Sequence, residues 1–497
     1  MRKFKGLKAI ALMLAVVVSI PFFTACSDEA LSGFFDALES IVGDYVQQEY
    51  PVDATDASYF DFEEVDGGYA ISLKADLESY PEVVTIPAVY EGAEVVAIKA
   101  EGFKAAKGVK QVFIAKTVKI IGEKAFEGNK TLERAQFEKE SAIESIGDEA
   151  FAGCTALTYA NFPNGLKAIG SKAFSKCALV LITLPDGLLS IGECAFEEST
   201  ILTVNIPASV TEIGVGAFSS GRALVSISVK EGSESFTSID GNLYSKDGKT
   251  LLQYCAAKSA GSFTVPQEVE VIESKAFLNA IMLYEVRFAE NSSLLTIKEN
   301  AFENCARITS LQIPATVTSI ENNAFLNCVR LVEVVNKSSN ITVEAQSEEN
   351  GKVALYALKA YNPADGDISS CVSIDENGFV IMTAEEGVLL ISYVGNGTDL
   401  VIPENVNYIY DGALNGYLNE YGKSYGIELF PEIKSVVIPV SVVYIGSKAF
   451  SKCQALATIT YGGSVEQWGN IVVADNWIDN APATKINCND GDVELIK

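Results

Sequence analysis

The 497-residue sequence contains no histidine and only two tryptophans. The missing histidine excludes Ser-His-Asp and Cys-His catalysis and removes the commonest nitrogen ligand of a metal site. No Cys-x-x-Cys pair, phosphate-loop phrase, dinucleotide fingerprint or calcium-loop phrase occurs. No metal and no cofactor are therefore expected. Basic residues are scarce too: 37 Lys and Arg stand against 65 Asp and Glu, a net charge of −28. Phosphate backbones are held by clustered Lys and Arg, so nucleic acid is not an expected partner. Beyond residue 25 no apolar run approaches the ~20 residues that span a bilayer.

The one long apolar run lies at the start. Arg2, Lys3, Lys5 and Lys8 precede an almost wholly apolar stretch from Ala9 to Phe23, followed by Thr24-Ala25-Cys26. A basic front, a short apolar run and small residues behind it read as an export signal over residues 1–25. Phe23-Thr24-Ala25-Cys26 resembles a bacterial lipobox. The resemblance implies cleavage before Cys26 and a diacylglyceryl group on its sulfur, with membrane lipid as the first partner. Each buried methylene of that lipid adds ~0.8 kcal/mol of membrane affinity. Loss of the four basic residues takes the net charge from −28 to −32. That suits a body held off a surface rather than laid on an anionic membrane. The expected location is the outer face of the membrane or the cell surface.

Residues 26–59 form the lipidated Cys, a helix and a linker. Leu31, Phe34, Phe35, Leu38, Ile41, Val42 and Tyr45 recur at three and four residues and predict an amphipathic helix over 27–48. It either packs on the body that follows or serves as a membrane-proximal spacer.

The body is periodic. An apolar strand ends in Ile-Pro; Val-x-x-Ile-Gly, Ala-Phe and then Cys follow. The Phe positions are Phe126, Phe151, Phe174, Phe196, Phe218, Phe277, Phe302, Phe325 and Phe450, each preceded by Ala. Successive Phe residues are 25, 23, 22 and 22 apart in the first run. The distance from Pro to Ala is stricter. It is ten residues after Pro163, Pro185, Pro207, Pro266, Pro314, Pro403 and Pro439, with Leu414 in the Phe place after Pro403. One half of each unit is rigid and the other tolerates insertion, as in a stack of coils. Alternating residues before each Pro predict a short strand with one inward face. Pro has no N–H and can end that strand. Gly122, Gly147, Gly170, Gly192, Gly214 and Gly446 mark places where a tight turn or a positive φ is expected. Ala-Phe puts one small and one large group inside on a short helical turn. No coil buries its apolar side alone; stacking buries them all.

This phrase resembles the BspA-like class of bacterial leucine-rich repeats over about residues 80–460. Ile206-Pro207-Ala208-Ser209-Val210-Thr211-Glu212-Ile213-Gly214-Val215-Gly216-Ala217-Phe218 is one matching unit. The resemblance implies an α/β-class solenoid: a strand-dominated, right-handed coil with short helical turns and variant capping units. It implies a surface or secreted protein, with adhesion among the known roles of the class. No binding residue is common to the class, so none is carried over. About seventeen coils at ~4.8 Å would span roughly 80 Å.

Residues 60–110 form a divergent first repeat, in which Pro87 lies sixteen residues before Phe103 and a small hairpin fills the excess. Residues 111–332 hold regular repeats, interrupted at 233–262 by a hairpin-like insert with a cognate at 373–393. Residues 333–400 are irregular, and Ser347–Gly351 is expected to be an exposed turn. A grafted site would lie at 333–372. Residues 401–460 return to the repeat, and 461–497, with Trp468 and Trp477, close the array.

Cys154, Cys177, Cys305, Cys328 and Cys453 each follow a repeat Phe by three residues. Neighbours such as Cys154 and Cys177 could approach disulfide range. A small buried filler with a free thiol is the better explanation, because one place recurs coil after coil. The expected function is binding or adhesion to an extracellular protein or glycan, not catalysis. The alternatives are an envelope lipoprotein without its own ligand and, less favoured, a carboxylate hydrolase.

Overall fold

The computed structural model describes residues 50–495 apart from 52, 76, 105, 222, 259–260, 367–369 and 416–432. The export signal, Cys26 and the helix predicted over 27–48 lie outside the described residues. The chain divides into two units, residues 1–261 with 269–282 and residues 262–268 with 283–497. Both are strand-dominated solenoids.

In the first unit a first ladder of parallel strands joins Val83–Thr85, Gln111–Ile114, Arg134–Phe137 and Tyr159–Ala160. A further pair joins Thr203–Ile206 to Ser226–Val229. Alternate residues turn inward, so Val112, Ala135 and Val204 are buried against the core. A second ladder joins Ile120–Ile121, Ser145–Ile146, Ala168–Ile169, Ser190–Ile191 and Glu212–Ile213. Its strands are two residues long because a single inward isoleucine is all that each coil contributes there.

Pro163 and Pro207 stand at the strand ends. Their carbonyls accept from Leu166 N at 3.1 Å and Val210 N at 3.2 Å, so the residue that cannot extend the ladder opens the next turn. Residues 178–184, before Pro185, form no strand; Leu202 N donates to Val180 O at 3.0 Å there.

The Ala-Phe segment is built of tight turns closed by i→i+3 bonds, such as Glu127 N to Lys124 O at 3.1 Å. Left-handed residues bracket it. Lys124, Glu149, Lys172 and Cys194, each just before Ala, have φ of 55°, 55°, 54° and 53°. Four residues later Gly128, Gly153, Lys176 and Glu198 are left-handed as well. These turns form a third line of coil-to-coil bonds: Phe126 N donates to Ala150 O at 2.7 Å and Gly128 N to Ala152 O at 2.7 Å.

The repeat glycines meet one half of the expectation: each opens a tight turn, its carbonyl accepting from the Ala N–H three residues on at 3.1–3.3 Å. None of Gly122, Gly147, Gly170, Gly192, Gly214 and Gly446 has a positive φ. They are needed because the preceding coil passes too close. A Cβ on Gly214 would lie 2.3 Å from Glu193 N, and one on Gly192 2.4 Å from Ser171 N.

The inserts are larger than two strands. Phe236–Ile239, Asn242–Ser245 and Thr250–Gln253 make an antiparallel meander, and its last strand pairs in parallel with Val271–Ile272. The third strand thereby starts a new parallel ladder with Val271–Ile272. In the second unit Val372–Ile374, Phe379–Ala384 and Gly387–Tyr393 repeat the device, and the last of them pairs with Tyr408–Ile409.

The second unit has its own parallel ladder of Asp399–Val401, Ser435–Ile438, Thr458–Tyr461 and Lys485–Cys488. The segment Ser347–Gly351 is only partly the exposed turn expected. Glu348 and Glu349 are exposed, but Gly351 is buried. Its carbonyl accepts from Phe325 N at 2.9 Å, so it fills the Ala place of a coil. Only glycine fits, because a Cβ would meet Glu321 O at 2.3 Å. At the end of the chain Trp477 takes that same place, its carbonyl accepting from Phe450 N at 2.7 Å.

Candidate surface groove

The repeat residues lie inside. Phe126, Phe151, Phe174, Phe196, Phe277, Phe302 and Phe325 have no exposed surface, and Phe218 and Phe450 are at most 3% exposed. Rings of adjacent coils stack: Phe126 on Phe151 at 4.8 Å, Phe151 on Phe174 at 5.1 Å, Phe174 on Phe196 at 5.5 Å. Tyr254 of the insert stacks on Phe277 at 4.8 Å and so replaces a repeat Phe.

The cysteines among the described residues are free thiols. Cys154, Cys177 and Cys328 donate Sγ–H to the carbonyls of Phe126, Phe151 and Phe302, each at 3.2 Å, and Cys453 to Leu414 O at 2.8 Å. Burial pushes the Cys154 thiol up to about 12 and holds Cys177 and Cys328 well above the usual thiol range. These are internal fillers with one hydrogen bond, poor nucleophiles and poor metal ligands. Among the described residues no group of three or more potential ligands is positioned to hold a metal ion.

A ligand can reach the outward side of the second ladder. Ser145, Ala168, Ser190 and Glu212 stand in register there while Ile146, Ile169 and Ile191 face inward. Small side chains and the close-passing glycines Gly170, Gly192 and Gly214 leave an open groove of ≈ 530 Å³. Asp148 lies at one end and Glu212 at the other, and Phe236 of the inserted meander forms part of the lining. Asp148 Oδ1 accepts from Ser171 N at 2.7 Å. The groove thus offers acceptors, hydroxyls and one aromatic ring, and no basic side chain lines it.

The two acids of the groove stand on separate coils. The backbones carrying Asp148 and Glu212 are three ladder steps apart, about 14 Å at ~4.8 Å per step. Paired catalytic carboxyls stand roughly 5–9.5 Å apart.

A second surface feature lies on the first repeat. The half-buried Phe62 stacks on Tyr90 at 3.6 Å, and Tyr69 meets Tyr90 edge-on at 5.2 Å. Desolvation, with help from Glu64 and Glu91, raises the Tyr69 phenol; Tyr90 is raised in the same way, with Glu91 beside it.

Sequence reasoning missed the groove. Its floor is made of Gly, Ala and Ser, which carry no chemical signal, and its wall comes from an insert whose placement is not written in the repeat. In the region 333–372, singled out in the sequence, most described residues are exposed or half-buried, but its first strand is not. Glu333 through Asn336 are buried, and the Glu333 carboxylate accepts from Ser310 Oγ at 2.6 Å and Cys371 N at 2.7 Å.

A model of the BspA type leucine rich repeat region matches six copies, over residues 92–178, 144–255, 248–353 and 425–487. The chain belongs to the BspA-type leucine-rich repeat family. The groove falls within the matched repeats, so this family's regular coils form its floor and a departure from them forms its wall.

The chain is similar in fold to the pneumococcal vaccine antigen PcpA, with TM-score 0.50, 18% identity, and coverage of 89% of this chain and 100% of that one. It is also similar to a leucine rich cell surface protein of Faecalibacterium prausnitzii, with 26% identity, 85% and 98% coverage and TM-score 0.41. A leucine-rich repeat protein of Bacteroides ovatus gives 20% identity, 87% and 100% coverage and TM-score 0.41. No curated protein matches the chain. Among the described residues no helix is long and apolar enough to cross a membrane.

Proposed function

We propose that this BspA-type chain is a binding module of the bacterial cell surface, held by lipid on Cys26, that takes an extended glycan or polypeptide along the groove over Ala168, Ser190 and Glu212. The observation that carries the reading is the groove itself. It is open, floored by small residues and backbone, and runs across successive coils. An extended ligand with hydroxyl or amide donors can place one donor per coil on Ser171, Ser190, Thr211 and the carboxylates at either end. The acidic lining favours neutral or basic ligands over anionic ones. The half-buried aromatics Phe62, Tyr69 and Tyr90 supply a second place for an apolar ligand face.

The reading is non-catalytic: the groove's two acids sit on coils three steps apart, and Asp148 is committed to Ser171 N. The alternative is an envelope lipoprotein with no ligand.

The test is a screen of the purified protein against extracellular-matrix proteins, mucins and a glycan array at physiological salt. Ala168→Arg and Ser190→Arg fill the groove from outward strand positions. A saturable hit lost in both, with unchanged thermal midpoints, supports the reading. A hit that both variants retain moves the site off the groove. No hit at micromolar concentration leaves the envelope-structural alternative ahead.

A further inference from the structure

Arg307 and Arg330 occupy one place in consecutive coils of the second unit, five residues after Phe302 and Phe325. After other repeat Phe residues that place holds the neutral Thr131, Ala156, Met282 or Ala455. Both arginines are buried, with 7% and 3% of their surface exposed. Arg307 Nη2 donates to the Tyr393 carbonyl at 3.2 Å, and Arg330 Nη2 to the Gly412 carbonyl. There the pairing stops. Arg307 Nε and Arg330 Nη1 are buried without a hydrogen-bond partner. Neither arginine pairs with a carboxylate among the described residues. The buried acid of the following strand, Glu333, is engaged by Ser310, Ser370 and Cys371.

This arrangement is costly as it stands. A buried charge is ordinarily paired, and an orphaned one is worse than an apolar residue of the same size. Here two like charges sit on adjacent coils. Burial pushes Arg307 down to about 10; burial, with the Arg307 charge beside it, pushes Arg330 down to about 9. Tying down the Tyr393 and Gly412 carbonyls does not explain them. One neutral N–H per carbonyl would do that, and each arginine still has unused N–H groups. Two guanidinium forks with one edge anchored on backbone and N–H groups left over are suited to gripping a planar or tetrahedral oxyanion. Tyr284 lies under Arg307, its ring centroid 5.9 Å from the guanidinium carbon, and supports the side chain on one face.

We infer that Arg307 and Arg330 form a binding site for a single oxyanion, the carboxylate or sulfate group of an acidic ligand. The site lies in the other unit from the groove and does not depend on it. The anion supplies the counter-charge that is lacking among the described residues, so binding it stabilises the second unit. The oxyanion can come from a free inorganic ion or from an acidic sugar.

The experiment is titration of the purified protein with sodium sulfate and, separately, sodium glucuronate, at ionic strength held constant with sodium chloride. Binding is read by calorimetry and by the thermal midpoint. Arg307→Gln and Arg330→Gln keep a donor for each carbonyl and remove the charge. The expected result is saturable binding of one sulfate per chain, a midpoint that rises with sulfate, and affinity lower by ~tenfold or more in either variant. Competition between glucuronate and sulfate identifies the oxyanion as the shared feature, and glucuronate binding alone assigns the site to an acidic sugar. Sulfate shifts of equal size in wild type and both variants overturn the proposal. So does the absence of saturable binding by either anion, which would leave the arginines as carbonyl ties alone.

Discussion

Cys177 Sγ lies 3.2 Å from the Phe151 carbonyl oxygen of the preceding coil. The same bond joins Cys154 to Phe126 and Cys328 to Phe302. The thiol therefore fills a small internal space and satisfies a carbonyl in the turn stack. Cys177→Ala removes both contributions and is expected to cost about 1–2 kcal/mol in chemical denaturation. In the native protein at pH 8 a thiol reagent is expected to leave Cys154, Cys177 and Cys328 unmodified and to label them after unfolding. Rapid native labelling of Cys177 would contradict the burial argument.

The ring stack sets the scale for core substitutions. Phe174 is wholly buried between Phe151 and Phe196. Phe174→Ala is expected to destabilise the first unit by about 3–5 kcal/mol. Phe174→Leu should cost much less, because the chain itself places Leu414 in an equivalent position. Urea titration of the two variants separates a packing effect from a general intolerance of change.

Two kinds of position that look alike in the repeat should respond in opposite directions. Gly214→Ala forces a Cβ to 2.3 Å from Glu193 N and is expected to cost about 1–3 kcal/mol. Glu149 holds φ at 55° with a side chain that disfavours it. Glu149→Gly is expected to leave stability unchanged or raise it by up to about 1 kcal/mol. Equal losses at both positions would refute the distinction between close approach and left-handed backbone.

Trp468 and Trp477 are the only tryptophans, and each is 8% exposed. Phe450 meets Trp477 edge-on at 5.7 Å, and Tyr461 meets Trp468 at 5.4 Å. Tryptophan fluorescence is therefore a reporter of the second unit alone. Its emission should be blue-shifted in the native state. If the two units unfold separately, its transition will not coincide with that of far-UV circular dichroism. Coincident transitions would mean one cooperative body. Trp477→Ala restores the residue type of the repeat but empties the space the ring fills, and should lower the fluorescence-detected midpoint.

Much of the fold was legible before any coordinates. The ten-residue step from Pro to Ala-Phe recurs because that half of each coil must match its neighbour rung for rung. A pattern under that constraint can be read from one chain. The glycines were legible as turn positions, but the close approach that demands glycine there was not. Close approach of a neighbouring coil and a positive φ leave the same residue in the sequence, and only the packed structure separates them. The left-handed positions of the first run were illegible because Lys, Glu and Cys occupy them, each held in a conformation it disfavours by bonds to the next coil, whereas Asn, which tolerates it, takes such places later at Asn300, Asn304, Asn323 and Asn327.

The sequence by itself determined the repeat, its inward residues, the lack of histidine chemistry and the family, because each follows from local pattern and composition. Tertiary structure decided what the outside offers. The groove exists because small residues from separate coils align and a distant insert contributes Phe236 beside them. Arg307 and Arg330 have no carboxylate partner among the described residues because stacking sets them on adjacent coils and leaves Glu333 committed elsewhere. Both depend on which surfaces face each other across many residues of sequence, and no local pattern encodes that.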